Sequence, residues 1–262
     1  MLKAFSTAAT GMAAQQMMVD VTANNLANIN TTGFKRSQID FQDLLYLKMR
    51  QSGTEVASGM KSPSGVEIGS GVRAASTVKI FSLGELLNTA KSLDIAIAGD
   101  GFLQVSMPDG TTRYTRDGAL QKGPNGELVT TMGYYITPAI TIPTDAVAVN
   151  IGQDGGVNVT TSDGSQSVIG TIQLARFPNP SGLSSEGDNL YTQTEASGTA
   201  TTGTPGQSGF GTIQAGFLEK SNVQMITELV NLITAQRAYE VNSRAIRAGD
   251  EMLNTAIQIA RF

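Results

Sequence analysis

The residues most able to do chemistry in this sequence are four aspartates in its middle part. Asp94, Asp100, Asp109 and Asp117 include enough carboxylates for a glycoside hydrolase, because positions far apart in a β-rich chain can meet in space. Their spacing does not single out a pair. Asp109 and Asp117 each precede a glycine, a composition typical of tight turns. We therefore favour turns, with a wall-glycan hydrolase as the enzyme alternative.

Short glycine-containing stretches resemble the beginnings of ligand-binding loops. Gly69-Ser70-Gly71 and Gly209-Phe210-Gly211 lack the third glycine of a dinucleotide loop. Asp154-Gly155-Gly156 and Asp163-Gly164 lack the ligand series and closing glutamate of a calcium loop. Histidine and cysteine, the usual general base and thiolate ligand, do not occur among the 262 residues. The sequence predicts no catalytic residue, cofactor or metal site.

Charge and hydropathy narrow the choice of partners. Eighteen basic and 22 acidic residues give a net charge of −4 without long runs of either sign, which argues against nucleic acid and anionic membranes. We expect no small-molecule substrate and no bilayer-spanning segment. The first 18 residues lack the continuous apolar core of a cleavable signal peptide, so export would require another route.

The C-terminal segment, Ser221 to Phe262, has the spacing of one long helix that packs on another helix. Ser221 and Gln224 match a capping box and predict where the helix begins. Steps of four and three residues define a seam, the row of positions expected to face the partner helix. Its polar positions Gln236, Ser243 and Asp250 indicate either an ordinary amphipathic helix with an irregular apolar stripe or buried polar groups that fix the register. The seam runs through Leu229, Leu232, Gln236, Tyr239, Ser243, Ile246, Asp250, Leu253 and Ile257.

The N-terminal segment repeats this pattern and predicts a second helix of about thirty residues. Its seam consists of Leu2, Phe5, Ala9, Met12, Gln16, Val19, Ala23 and Leu26. The residues that follow this helix are harder to assign. Phe34 to Met49 is compatible with a short helix or an extended linker, and residues 50–72 are compatible with a linker or an ordered arm.

The middle of the chain has alternating apolar residues separated by turn signals and predicts antiparallel strands. Five dipeptides predict hairpin turns, namely Asp109-Gly110, Asp117-Gly118, Asn125-Gly126, Asp154-Gly155 and Asp163-Gly164. The predicted fold is α+β, with long terminal helices in a coiled-coil-like hairpin and an inserted antiparallel β domain. We divide it into a helical assembly domain (1–45 and 216–262), extended segments (46–73 and 181–215) and a β-rich outer domain (74–180).

Two stretches carry a family resemblance. The first runs from Thr22 to Lys35 and contains Asn24, Asn25, Leu26, Asn28, Asn30, Gly33 and Phe34; the second runs from Ala235 to Asn242 and contains Gln236, Arg237 and Tyr239. They resemble the N- and C-terminal signatures of the bacterial flagellar rod and hook axial proteins. The stretches Leu93 to Val105 and Tyr114 to Gly118 resemble the β domain of that family, so the resemblance covers nearly the whole chain.

The resemblance implies a mechanical protein. Chain length and the stretch Pro63 to Arg73 are similar to the distal rod members, with a proximal rod or hook-type protein as the alternative. Distal rod subunits form a hollow helical polymer across the periplasm, which transmits torque to the hook and encloses the export channel. The implied partners are copies of the chain, other rod proteins, the hook protein, ring proteins and the rod cap. Export through the flagellar apparatus needs no cleaved signal peptide.

Two sets of residues are expected to mediate assembly. The self-assembly set lies on the terminal helices and comprises Leu2, Phe5, Met12, Val19, Leu26, Leu229, Leu232, Tyr239, Ile246, Leu253 and Ile257. The rod-stiffening arm contains Val56, Met60, Pro63, Val66 and Ile68. A glycan hydrolase would need one carboxylate pair to matter, and a secreted glycan-binding or adhesive β module would leave the two helices without a purpose.

Overall fold

The computed structural model describes residues 2–53, 55–57, 60–61 and 63–259. The chain forms two compact units. The terminal unit comprises Met1–Leu26, Ser37–Val78 and Met225–Phe262, and the β unit comprises Ala27–Arg36 and Lys79–Gln224. Two long helices and largely antiparallel strands confirm the α+β class. No helix in the described part of the chain is both long and apolar enough to cross a bilayer.

The terminal unit contains both helices and six short strands. Helix α1 spans Leu2–Ala27 and α2 spans Met225–Ile259. The strands are β1 (Ser37–Asp43), β2 (Leu47–Arg50), β3 (Glu55–Ala57), β4 (Met60–Lys61), β5 (Val66–Ile68) and β6 (Val72–Lys79). The last residue of β6, Lys79, belongs to the β unit. The strands pair as β1 with β6, β2 with β5 and β3 with β4.

The predicted start of α2 at Ser221 is wrong. The helix begins at Met225, and Ser221 Oγ instead accepts a hydrogen bond from the Val223 N–H at 3.3 Å. The Asn222 side chain bonds to the backbone of Arg36 and Ile80, which holds this stretch out of a helix. Tertiary hydrogen bonds therefore override the local capping box. The 35 residues of α2 span roughly 53 Å at about 1.5 Å each.

The two helices contact each other with opposite polarity. A Cβ added to Gly249 of α2 would lie 2.8 Å from the Phe5 ring of α1, and one added to Gly11 would lie 2.9 Å from Asn242. Asn25 near the end of α1 bonds to Glu228 in the first turn of α2. Contact positions thus rise along α1 as they fall along α2.

Another face of α1 contacts the β1–β6 pair. The Val72 N–H donates to Thr10 Oγ1 at 3.4 Å, and Met17 and Val21 line a cleft with Ile39 and residues 74–77. The alternatives offered for Phe34 to Met49 are wrong, because β1 and β2 are paired strands. Residues 39–41 alternate Ile-Asp-Phe, and burial of Ile39 with exposure of Asp40 gives this segment the two-residue period of a strand.

The described residues from Leu45 to Ile68 form a β-hairpin arm, which contains β2, β3, β4 and β5, rather than an irregular linker. Strands β2 and β5 pair antiparallel, with Leu47 opposite Ile68, and β3 pairs with β4 further out. The backbone therefore satisfies part of its own hydrogen bonding. This observation favours the ordered arm over the linker.

The β unit contains the remaining strands. They are β7 (Leu86–Asn88), β8 (Ile95–Ala98), β9 (Phe102–Ser106), β10 (Thr112–Thr115), β11 (Leu120–Lys122), β12 (Leu128–Thr130), β13 (Tyr135–Thr137), β14 (Ala146–Ile151), β15 (Gly156–Thr161), β16 (Gln166–Thr171), β17 (Leu174–Arg176), β18 (Ser184–Gly187), β19 (Leu190–Thr192), β20 (Thr201–Gly203), β21 (Thr212–Ala215) and β22 (Phe217–Glu219). A short 3₁₀ helix spans Pro180–Gly182.

The main sheet has nine strands. Its principal order is β11-β12-β13-β9-β10-β19-β18, and β17 joins β9 to β20. A second sheet has the order β14-β15-β16, and the pairs β21–β8 and β22–β7 complete the unit. The prediction that residues 181–215 are an extended linker is wrong, because β18, β19 and β20 are part of the main sheet. The Ser/Thr/Gly-rich composition of β18 and β20, which are largely exposed, gives no apolar pattern that would predict strands.

Four of the five predicted hairpin turns are confirmed. Gly110, Gly126, Gly155 and Gly164 have positive φ and join consecutive antiparallel strands. The turn at Asp117-Gly118 is wrong. A Cβ on Gly118 would lie 1.7 Å from the Ile95 carbonyl oxygen, so this glycine allows a close backbone approach instead.

Two hydrophobic clusters stabilise the β unit. The larger cluster consists mainly of Ile, Leu and Val from strands of both sheets and includes Ile97, Leu103, Val157, Leu174 and Ile213. The smaller is aromatic, and its rings meet edge to face at centroid distances of 4.8–6.0 Å. Such contacts add to the stabilisation from apolar burial.

Candidate assembly surfaces and a buried ionic cluster

The buried residues of α2 set the register of its contact with α1. Glu228, Ala235 and Gly249 are buried and lie seven and fourteen residues apart, which fits a heptad repeat. Leu232, Asn242, Ile246 and Leu253, which continue the same row, are partly buried, as are the adjacent Asn231, Ala238 and Ser243. Tyr239 in the same row is 43% exposed. The row is therefore Glu228, Leu232, Ala235, Tyr239, Asn242, Ile246, Gly249 and Leu253.

The seam predicted for α2 is shifted by one residue at alternate positions. Gln236 and Asp250 are exposed, so they are not register-setting groups buried between α1 and α2, whereas Ser243 is partly buried. Leu229 and Ile257 are also exposed, at 39% and 54%. The physical reason is close packing: Gly249 leaves room for Phe5, so small residues such as Ala235 and Gly249 alternate with larger ones in the row that faces α1.

Helix α1 shows the same shift. Its predicted seam residues Phe5, Met12, Val19 and Leu26 are partly buried, whereas Ala9, Gln16 and Ala23 are exposed. The neighbouring positions Ala8, Gln15 and Thr22 are less exposed instead. The side chain of Leu2 lies outside what the structure describes.

Large apolar residues on the remaining surface of α2 are exposed. Near its N-terminus, Ile226 is 79% exposed, Val230 57% and Ile233 55%. Val241, Met252 and Ile259 are also exposed. Soluble monomers rarely leave a long row of this kind uncovered. The row therefore has the character of an interface.

The β-hairpin arm also carries exposed apolar side chains. Leu45 is 91% exposed and Met49 66%, while Val66 and Ile68 are 45% and 42% exposed. Pro63 is exposed as well. Val56 and Met60 lie in β3 and β4, and their side chains are outside the described part of the structure. The arm thus offers apolar surface without a cover in its own unit.

Asn25 of the N-terminal signature links three elements of the terminal unit. Its Oδ1 accepts from the Ser37 N–H at 2.9 Å, and its Nδ2 donates to the Ser37 carbonyl at 2.8 Å. Nδ2 also reaches Glu228 Oε2 at 3.4 Å. Because Asn25 is 1% exposed, its donors and acceptor are satisfied inside the protein. It fixes the end of α1 against β1 and the first turn of α2.

Lys35, Arg116 and Glu219 form a buried ionic cluster in the β unit. Their side chains are 0–3% exposed. Lys35 Nζ pairs with Glu219 Oε1 and donates to the Ser82 carbonyl at 2.8 Å. Arg116 Nη1 lies 3.5 Å from Glu219 Oε2. The Gly84 N–H donates to Glu219 Oε1 at 2.9 Å, so one carboxylate serves three partners.

Burial governs the ionisation of this cluster. Loss of hydration lowers the pKa of Lys35, and the adjacent Glu219 carboxylate offsets part of that effect. The pKa of Arg116 is likewise lowered by burial. Both cations need Glu219, because a buried charge without its partner is strongly destabilising.

The signature residues after α1 pack around this cluster. Gly33 has φ of +68°, and a Cβ there would lie 2.7 Å from the Arg116 backbone. Its N–H donates to the Glu219 carbonyl at 2.8 Å. Phe34 is buried, with Lys79 Nζ 4.7 Å from its ring centroid. These contacts account for an obligatory glycine followed by an aromatic residue.

The remaining signature residues are less constrained by the fold. Asn28 Oδ1 accepts from Thr31 Oγ1 at 3.1 Å in the turn after α1. Asn24, Asn30, Gln236 and Arg237 are exposed. Tyr239 and Gln236 line a groove with Gln16 and Val19, on the margin of the contact between the helices.

The structure shows the hydrogen bonds and the burial of the four aspartates considered as candidate catalytic residues. Asp109 Oδ1 accepts from the Thr111 N–H and hydroxyl in its hairpin turn, and these bonds lower its pKa. Asp117 accepts from Thr32 Oγ1 at 2.9 Å, while burial raises its pKa. Asp94 is buried beside Ala119, and Asp100 is exposed. Among the described residues no group of three or more potential metal ligands occurs.

The fold and the two exposed apolar surfaces define an axial assembly protein: a β unit attached to long helices that offer surface to other molecules. Three family models match the chain. "Flagella basal body rod protein" matches residues 5–35, "Flagellar hook protein FlgE/F/G D1 domain" residues 96–159, and "Flagellar basal body rod FlgEFG protein C-terminal" residues 214–259.

Curated relatives identify the branch. The chain is 48% identical over 251 residues to the flagellar basal-body rod protein FlgG of Buchnera aphidicola subsp. Schizaphis graminum, covering 95% of this chain and 96% of the relative. It is 45% identical to FlgG of Caulobacter vibrioides, covering 98% and 99% of the two chains. Identity to FlgG of Borreliella burgdorferi is 43% over the full length of both. The chain belongs to the FlgG family of flagellar basal-body rod proteins.

Proposed function

We propose that this chain is the structural subunit of the flagellar distal rod. It self-assembles helically into a rigid hollow shaft that transmits torque from the motor to the hook and encloses the export channel. The observation that carries the proposal is the row of exposed apolar residues on α2, in a chain that matches rod proteins named FlgG from end to end. A shaft of this kind has no catalytic step, so we assign no active site and no cofactor.

Assembly is assigned to the terminal helices. In this proposal α1 and α2 form a coiled-coil-like antiparallel hairpin, supported by the Phe5–Gly249 and Gly11–Asn242 contacts. Residues facing the partner helix, such as Ile246 and Leu253, stabilise the hairpin. Exposed residues such as Ile226 and Val230 are covered by neighbouring subunits. Each exposed apolar side chain that becomes buried contributes about 1.5–3 kcal/mol before entropy losses.

Rigidity is assigned to the β-hairpin arm. Val66, Ile68, Met49 and the tip containing Val56 and Met60 dock on neighbouring subunits and select one arrangement of the helical lattice. The exposed apolar side chains of β2 and β5 support this role. Pro63 stiffens the connection between β4 and β5, because its ring fixes φ.

The proposal also sets the location and the partners. The subunit is exported without a cleaved signal peptide and crosses the periplasm as part of the basal body. Its partners are further copies of itself, other rod proteins, the hook protein, ring proteins and the rod cap. We retain the division into a helical assembly domain, extended segments and an outer β-rich domain as the functional plan, amended by the strands between residues 181 and 215.

A complementation experiment tests this function. A strain that lacks the chain is expected to assemble no distal rod and no hook by electron microscopy of isolated basal bodies, and the wild-type chain is expected to restore both. Intact rods and motility in the deletion strain would refute the proposal. Accumulation of a glycan substrate without a rod defect would favour the enzyme alternative.

A further inference from the structure

The backbone passes between the two units at four peptide bonds, and on the β-unit side the residues next to these bonds lie close together. The unit boundaries place chain crossings at Leu26–Ala27, Arg36–Ser37, Val78–Lys79 and Gln224–Met225. Force that the covalent chain carries from the terminal helices into the β unit therefore enters within a few residues of Arg36, Lys79 and Gln224.

The Asn222 side chain forms hydrogen bonds that link the segments next to three of these crossings. Its Oδ1 accepts from the Arg36 N–H at 2.8 Å, and its Nδ2 donates to the Ile80 carbonyl at 2.8 Å and to Ser82 Oγ at 2.9 Å. The Ile80 N–H donates to the Arg36 carbonyl at 2.9 Å. Segments 79–82, 35–36 and 222 are thus cross-linked immediately inside the β unit.

The ionic cluster anchors the same segments to the sheet. Lys35 Nζ donates to the Ser82 carbonyl and pairs with Glu219, so it joins all three segments a second time. Arg116 attaches Glu219 to the loop around Gly99 through a 2.8 Å bond from Nη2 to the Gly99 carbonyl. The segment that follows the fourth crossing, Leu26–Ala27, is linked to Glu219 through Gly33, whose N–H donates to the Glu219 carbonyl.

We propose that Asn222 and the Lys35–Glu219–Arg116 cluster form a mechanical junction through which torque passes between the terminal helices and the β unit. This inference rests on the proposed rod function. If the crossings were not linked, each strand could be pulled from the β unit one hydrogen bond at a time. Cross-linked strands share the force, so that several bonds must break together. Under load the unfolding rate decides whether the rod survives.

Asn222→Ala is the decisive variant, because it removes the side-chain cross-links made by Asn222 while leaving the three buried charges in place. Asn179→Ala is the matched control: Asn179 lies in the same unit, and its Nδ2 donates to the Ala196 carbonyl at 3.0 Å away from the crossings. Full-length variants are expressed in the deletion strain. Flagellar rotation is measured at low load with a small bead and at high load with a large bead.

We expect N222A cells to rotate as wild type at low load, and to show at least a several-fold higher rate of rotation loss at high load. N179A cells should match wild type at both loads. Equal survival of N222A and wild type at high load would overturn the junction, as would equal losses in N222A and N179A. Should N222A build no rod, Asn222→Asp, which keeps the acceptor for Arg36 but loses both donors, provides the same comparison.

The two proposals fail in different ways. If wild-type chain does not restore rods in the deletion strain, the rod function is wrong. If it restores them and N222A is indistinguishable from wild type at high load, only the junction is wrong.

Discussion

Glu219 is the buried carboxylate that pairs with both Lys35 and Arg116, which makes it the most sensitive residue of the β unit. Glu219→Gln would leave Lys35 without its carboxylate partner and Arg116 with only the exposed Asp100 as a counter-charge. Removing one partner of a buried pair costs roughly 3–5 kcal/mol, and about 2–4 °C of Tm accompanies each kcal/mol in a domain of this size. We expect a fall in Tm of about 10 °C by thermal denaturation. Glu85→Gln, which removes the exposed Lys220 partner, should have little effect.

Asp117 gives the β unit a defined dependence on pH. Burial raises its folded-state pKa above the ordinary value of about 3.9. The folded state therefore binds its proton more tightly, so this group's stabilising contribution is present below about pH 4 and is lost as pH rises through the raised pKa. Asp117→Asn removes the titration. The Tm of the variant relative to wild type should rise between pH 4 and pH 7; a constant difference would show that the carboxyl does not titrate in this window.

At the scale of elements, the structure and the sequence pattern assign different residues of α2 to the contact with α1. Ala235 is 2% exposed, whereas Gln236 points into the groove at the margin of the helix contact. Ala235→Asp would bury an unpaired carboxylate and should reduce assembled rods at least tenfold in basal-body preparations. Gln236→Asp should retain most of them. Equal loss in both variants would mean that the seam faces 236, as the heptad pattern alone suggests.

The errors in element prediction have a common physical origin. Hydrophobic period predicts α1 and α2, and Asp-Gly and Asn-Gly dipeptides predict four hairpin turns, because these features follow from local geometry. The heptad pattern misplaces the seam because it also fits the exposed apolar face of α2, while Ala235 and Gly249 give no apolar signal. The strands between 181 and 215 and the start of α2 depend on tertiary hydrogen bonds. A Ser/Thr-rich strand has no alternation to detect.

The candidate site was predictable to a similar extent. The signature around Asn25 and Gly33 was found through family resemblance, and its chemistry became clear only when Ser37, Glu228 and Glu219 were seen beside it. No spacing connects Lys35 with Glu219, which are 184 residues apart. The sequence could not predict that the Lys35 side chain is fully buried, at 0% exposure.

At the scale of the whole molecule, the two units bury their apolar residues unequally. Both hydrophobic clusters belong to the β unit, where Val105, Val157 and Leu174 are fully buried. In the terminal unit, α2 and the arm leave many large apolar side chains exposed. A free subunit with this distribution has a self-sufficient β unit and helices whose burial is incomplete. In the proposed function, polymerisation buries these exposed side chains.

In the proposed function, the arm decides whether the polymer is straight. Helices with apolar residues on more than one side can pack in several arrangements of similar energy, and a tube built from them alone would bend. Docking of the exposed side chains of β2 and β5 on neighbours would select one arrangement. Deleting residues 53–69 should therefore give rods that form but curve, measured as a several-fold increase in curvature in electron micrographs.

A milder variant isolates the contacts from the length of the arm. Val66→Ser with Ile68→Ser keeps the hairpin and removes apolar area at two positions that are 45% and 42% exposed in the free chain. It should produce intermediate curvature, because each lost contact weakens the preference for one arrangement without abolishing it. Matched changes at Val147 and Val168, exposed positions of the β14–β15–β16 sheet, should leave the rods straight. If rods built from the deletion variant are as straight as wild-type rods, the arm serves only to connect β1 with β6.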